Sequence, residues 1–203
     1  MVVAQRRRGP ALEHALLDAA YAELVSNGYA SFTLEAVAIR AGTSTPVLYR
    51  RWPDKHALLR AAITHVVELQ KVQAPDAGSL REDVLVLMRQ ANAAGVELLA
   101  TISVHLGGYF QETGTSPADL RDELMPNLPV LNALNVIYER AAHRGETDPA
   151  RLTPRMRTLP FDLLRAELLM TLRPLPDTDI EEIIDTLYLP LVLKRLQDND
   201  ARF

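Results

Sequence analysis

The sequence contains no cysteine and one tryptophan, and aromatic residues make up only 5% of its 203 positions. The missing thiols exclude disulfides, thiolate metal ligands and a cysteine nucleophile. Long apolar runs are missing as well. The longest stretch without a charged side chain, Leu124 to Tyr138, spans 15 residues and is interrupted by Pro126, Asn127, Pro129, Asn132 and Asn135. A membrane-spanning helix needs about 20 apolar residues, so none is expected. The apolar run after Arg6, Arg7 and Arg8 is broken by Glu13 and Asp18, which does not read as a secretory signal, and a cytoplasmic location is expected. What is present, 48% hydrophobic and 24% charged residues, is the balance of a globular protein with one large domain or two small ones.

The net charge of −4 argues by itself against a nucleic-acid binder, but it hides an asymmetry. Residues 1–60 carry eight Lys/Arg against five acids, a balance of +3, which leaves −7 for the rest. A basic N-terminal quarter on an acidic body is expected when one end of a molecule meets a polyanion.

Apolar residues repeat at three and four positions, and no alternating β-branched run bounded by turns is found, so the chain is expected to be all-α. A first helix is predicted from Pro10 to Asn27-Gly28, with Leu12, Leu16, Ala19, Ala20 and Leu24 on one face. Thr33 is the natural N-cap of a short second helix that ends at Ala41-Gly42. Another short helix follows from about Thr45 to Trp52, and a longer one from Asp54 to about Ala74. Pro75-Asp76-Ala77-Gly78 reads as a linker. The expected organisation is therefore a DNA-binding domain over 1–53, a connecting helix over 54–74 and a helical domain over 79–203. In that last domain helices are expected at about 80–94, 97–112, 117–125, 128–144, 155–172 and 179–196. Capping boxes are read at Ser79/Glu82 and Thr178/Glu181, a further start at Ser116-Pro117, and kinks at Pro126 and Pro190.

Two short helices joined by a glycine turn within about 20 residues have the dimensions of a helix-turn-helix. On the second, Ser44, Leu48 and Trp52 share one side and are expected to pack inward. Pro46 and Arg50 lie opposite, flanked by Thr43, Val47 and Tyr49. Arg50 can pair with guanine O6 and N7, Val47 and Pro46 can touch a thymine methyl, and Tyr49 can reach a phosphate. The string from Thr33 to Leu58 closely resembles the DNA-binding domain of the TetR family of transcriptional repressors. Thr33 opens the first short helix, Ala41-Gly42 makes the turn and Leu48-Tyr49 closes the recognition helix. Trp52-Pro53 gives the aromatic-proline pair, and Lys55 begins the fourth helix. Thr43 and Val47 depart from the commoner Val and Thr. The resulting DNA-binding set is Arg6, Arg7, Arg8, Thr33, Thr43, Ser44, Thr45, Pro46, Val47, Tyr49, Arg50 and Lys55.

The resemblance implies a homodimer that binds a double-stranded operator through its N-terminal domains and a small-molecule effector through its C-terminal domain, with the last helices pairing across a two-fold axis. Ile180, Ile184, Leu187, Tyr188 and Leu191 are the expected dimer residues, on a final helix that is apolar over a wide arc. His105, Tyr109, Phe110, Asn132, Asn135, Tyr138 and Phe161 are the candidates to orient an apolar or amphipathic ligand. His143-Arg144-Gly145-Glu146 is similar to a stretch found in one subgroup of the family. Other chemistry finds little footing. The five histidines show no metal-ligand spacing, and no Gly-x-Ser-x-Gly elbow or phosphate-binding glycine loop occurs, so neither metal, cofactor nor catalytic residue is expected. An enzyme with an unfamiliar helical active site and a ligand-free architectural DNA binder are the alternatives.

Overall fold

The computed structural model describes residues 9–124 and 128–193. Among them the regular structure is helical, and the one extended pairing is an isolated bridge between Thr147 and Leu193. The protein is all-α. The Arg6–Arg8 arm and the expected kink at Pro126 lie outside the described residues. Two compact units form, one from Met1–Gln70 and Thr101–Asn127, the other from Lys71–Ala100 and Leu128–Phe203. Residues 101–127, expected with the C-terminal domain, thus belong with the N-terminal helices, because Tyr109 and Glu112 bond to side chains of that unit.

The first unit begins with α1 (Pro10–Asn27), where proline in the first turn forfeits only an N–H that would have no helical partner. Leu16, Leu17, Ala20 and Leu24 form its buried stripe. Gly28 ends it at φ 70°, donating its N–H to the Leu24 carbonyl at 2.9 Å. A Cβ there would be strained and would stand 3.3 Å from Nδ1 of His105. Helix α2 (Leu34–Arg40) is capped by Thr33, whose Oγ1 accepts from Ala36 N at 3.0 Å. After Gly42 at φ 64° comes α3 (Thr45–Tyr49), then α4 (Lys55–Leu69), whose N-cap Asp54 accepts from Ala57 N at 2.8 Å. Leu58, Leu59, Ala62, Ile63 and Val67 are buried where α4 packs along α1.

Helix α4 is shorter than the Asp54–Ala74 rod expected from the sequence. Its 15 residues span about 22 Å at 1.5 Å per residue. Gln70 is already extended, and Val72 and Ala74, two positions apart as in a strand, reach the core of the second unit. Pro75 also disfavours helix at Ala74.

Helix α5 (Leu80–His105) runs through Ala94–Glu97, where two helices were expected, and contributes to both units. Gly95 marks close packing rather than a break, since a Cβ there would come within 3.3 Å of Leu168 Cδ1. The break falls at Leu106, before α6 (Gly107–Thr113) and α7 (Pro117–Leu124). Ser116 and Asp119 cap α7 reciprocally: Ser116 N donates to the Asp119 carboxylate at 2.7 Å, and Asp119 N to Ser116 Oγ at 3.3 Å.

The second unit joins the first part of α5 to α8 (Pro129–His143), α9 (Pro154–Thr171) and α10 (Asp177–Glu182). Beyond α10 the chain continues through a π-helical segment, Ile183–Tyr188, into α11 (Leu189–Val192). The widened segment precedes Pro190, which cannot donate to the ladder, and Leu189 N bonds to Ile184 O five residues back. Ser79 caps α5 by accepting from Glu82 N at 3.2 Å, but the Glu82 carboxylate turns to Arg81 instead of closing the box. Thr178 is not an N-cap. Helix α10 starts at Asp177, an acid in the first turn held by the Arg89 guanidinium at 2.6 Å.

The His143–Glu146 stretch acts as a strap on the start of α5. Gly145 makes the turn at φ 77°, Glu146 accepts from Leu80 N at 2.6 Å, and Arg144 Nη2 reaches Asp83 Oδ2 at 3.0 Å. Asp83 is completely buried and also accepts from Ala77 N at 2.5 Å.

Candidate nucleic-acid interface

Helix α3 is fixed from below by Leu48 and Trp52, 0% and 7% exposed. Those two anchors decide what the opposite side presents. Ser44, Pro46, Tyr49 and Arg50 are exposed, while Thr43, Thr45 and Val47 are half-buried. Among the described residues the side chains of Arg50 and Tyr49 make no hydrogen bond or ion pair, so their polar ends are open to a ligand. Ser44 faces out although it shares the Leu48 side by helical rotation, because it precedes the helix as its N-cap with φ −98° and ψ 145°. Arg51 folds back to the Val47 carbonyl at 3.1 Å. Thr33 is exposed, with its hydroxyl oxygen already capping α2.

Helix α2 of the motif is bound to α1 by a polar clamp that no sequence pattern announced. Glu23 of α1, 6% exposed, accepts from Arg40 Nε at 2.5 Å and from Asn27 at 2.6 Å. Arg40, then Asn27, hold its carboxyl below the usual range.

Lys55 is not an open cation. Its Nζ is 2.8 Å from Glu112 and lies over the Tyr29 ring, 4.5 Å from the centroid. Glu112 also accepts from the Tyr29 hydroxyl at 2.8 Å and lies 3.2 Å from His56 Nε2. Lys55 first, then Tyr29, push the Glu112 carboxyl down to about 2. Burial and the Glu112 contact raise the Tyr29 hydroxyl. Nothing in the sequence signals Glu112, which lies 57 residues from Lys55.

The expected ligand residues do not converge. In the first unit His105 is half-buried, Tyr109 is buried edge-on to Tyr29 with its hydroxyl 3.5 Å from Arg60, and Phe110 stacks at an angle on Tyr109. In the second unit Tyr138 and Phe161 are core residues. Tyr138 bonds to the Tyr188 hydroxyl and donates to Arg157 O at 3.1 Å, and burial pushes it up to about 12. Asn132 and Asn135 face solvent, because the buried stripe of α8 is Ala133, Leu134, Ile137, Tyr138 and Ala141. A cleft of about 230 Å³ in the second unit, lined by Asp148, Arg151, Leu152, Met156 and Leu191 among others, includes none of these seven residues.

Of the expected dimer residues, Ile180, Ile184 and Tyr188 are at most 1% exposed and belong to the protomer's own core. An ideal helical wheel would keep all five on one face, but the π-helical segment changes the register within the run and parts Leu187 and Leu191 from the other three. Leu187 and Leu191, 46% and 51% exposed, remain on the surface with Leu193. No helix among the described residues is long and apolar enough to cross a membrane.

Comparison with known proteins places this geometry in a family. Residues 74–187 match the tetracyclin repressor-like C-terminal domain. A DNA-binding transcriptional repressor TetR of Mycobacteroides abscessus is 29% identical over 188 residues, covering 91% of this chain and 96% of the relative. Among solved structures, a TetR transcriptional regulator from Agrobacterium tumefaciens superposes with a TM-score of 0.64 at 21% identity, covering 93% of this chain and 97% of that one. The transcriptional regulator FadR from Bacillus subtilis, in complex with stearoyl-CoA, gives 0.62 at 16% identity over 86% and 98%. Residues 16–62, which carry α2, α3 and the start of α4, match the bacterial regulatory proteins of the tetR family, and the chain belongs to that family of DNA-binding transcriptional regulators.

Proposed function

We propose that the protein is a homodimeric repressor that reads a palindromic operator through α3 and is released by a small apolar or amphipathic ligand. The observation that carries the DNA contact is the face of α3. Arg50 and Tyr49 stand open on the side opposite two buried anchors, so the side chains able to read base edges and phosphates are held on a rigid support. A single helix reads only a few base pairs, so two protomers are needed, with Leu187 and Leu191 on the face that meets the partner. Thr33, Thr43, Ser44, Thr45, Pro46, Val47 and the Arg6–Arg8 arm complete the DNA contact. The stearoyl-CoA complex of the structural relative supports an amphipathic effector.

Selection of bound duplexes from a random pool tests the DNA reading. The enriched site is expected to be an inverted repeat with half-sites about 34–36 Å apart, occupied by two protomers. No enrichment, or a single half-site bound by one protomer, contradicts it. Release is tested with stearoyl-CoA and other acyl amphiphiles as probes. A true inducer binds the free protein more tightly than the operator complex, by the same factor that it weakens DNA binding, and equal affinities contradict induction.

A further inference from the structure

Glu112 stands in the last turn of α6, where the negative end of the helix dipole disfavours an acid. Helix formation therefore does not account for its place. What compensates it is a set of groups from two other elements: the Tyr29 hydroxyl, the Lys55 ammonium and the His56 ring, at 2.8, 2.8 and 3.2 Å. All of these belong to one compact unit. Lys55 is the first residue of α4, two residues beyond the Trp52-Pro53 pair that closes the recognition segment, and is the cation expected to meet a phosphate. In this structure its charge is already matched.

We propose that Glu112 is an internal substitute for operator phosphate: it neutralises Lys55 in the DNA-free protein and so holds DNA affinity down until the pair is separated. The inference rests on the DNA-binding reading above and deepens it. Tyr29 fixes the geometry from both sides, because its ring lies under the ammonium and its hydroxyl binds the carboxylate. Lys55 is 30% exposed and Glu112 45%, so both remain reachable by solvent and by a phosphate. While the carboxylate holds the ammonium at this distance, a phosphate must displace it to reach Lys55, so Lys55 adds little net attraction while paired. Movement of α6 away from α4 unmasks Lys55 and raises affinity, which gives α6 control over DNA binding without any change in the spacing of the recognition helices.

The test is a double-mutant cycle on a duplex of about 30 base pairs, long enough for two half-sites, with affinity measured across a salt series. Glu112→Gln keeps the shape and removes the charge. It is expected to tighten binding about 1.5- to 5-fold, the range of a solvent-reachable ion pair, and to steepen the dependence of log K on log salt by about 0.9 per protomer. Lys55→Ala is expected to change little in the parent protein but to abolish both gains in the Glu112→Gln background. Two results overturn the proposal. One is a gain from Glu112→Gln that survives in the Lys55→Ala background, which is a general charge effect. The other is Lys55→Ala flattening the dependence of log K on log salt of the parent by about 0.9 per protomer, which means that Lys55 already serves phosphate. The second comparison does not depend on the folding of any Glu112 variant. If the parent binds no duplex at all, the DNA-binding reading itself fails, which is a different result from additivity in the cycle.

Discussion

Removing the Arg144 guanidinium exposes how the strap at the start of α5 works. Arg144→Ala leaves the Asp83 carboxylate, 0% exposed, with Ala77 N as its remaining close donor. Breaking a buried ion pair by deleting one partner costs about 3–5 kcal/mol. The Arg144 side chain is itself 26% exposed, so water enters the vacated space and the expected loss is about 2–3 kcal/mol. Adding Asp83→Asn removes the stranded charge, and the double variant is expected to regain more than half of the loss. The assay is urea unfolding followed by far-UV circular dichroism at fixed protein concentration, compared at constant m-value. A loss below about 0.5 kcal/mol, the ordinary range of a surface change, or no recovery in the double variant, would refute the account of the strap.

Leu48→Ala empties a fully buried site beneath the recognition helix and is expected to cost about 2–5 kcal/mol, read by thermal unfolding, together with DNA binding. The Glu112 carboxyl, held at about 2 against a usual 4.5, stabilises the folded protein in full above 4.5 and loses that contribution as pH falls toward 2. The stability gap between parent and Glu112→Gln is therefore expected to close over that interval, and a gap independent of pH contradicts the pairing. Replacing both Leu187 and Leu191 by Glu is expected to give monomers in sedimentation, while Leu191→Met leaves the dimer intact.

The N-terminal unit was legible because its signals are local. Thr33 and Asp54 cap the helices they precede, Gly42 supplies the positive φ of the turn, and Leu48 and Trp52 recur four residues apart on the buried side. The candidate site was legible on α3 for the same reason. Where position depends on distant packing, the pattern fails. Gly95 looks like a helix break but admits Leu168, and the Val72/Ala74 pair looks helical until the second unit's core draws it out. A regular helical wheel groups Ile180, Ile184, Leu187, Tyr188 and Leu191 on one face, whereas across the π-helical segment before Pro190 Leu187 and Leu191 come to the surface and the other three stay in the protomer core. Glu112 shows no pattern at all, since its meaning comes only from Tyr29, Lys55 and His56 meeting it in space.

The central claim is that the open face of α3 reads base sequence, and Arg50→Ala tests it most directly. Affinity is measured for a selected site and for an unrelated duplex at the same salt concentration. The variant is expected to lose about 1–3 kcal/mol on the selected site, with relaxed preference at one base position in each half-site, and to change little on the unrelated duplex. An equal loss on both duplexes would contradict the claim, reducing Arg50 to a phosphate contact and leaving α3 without its reader.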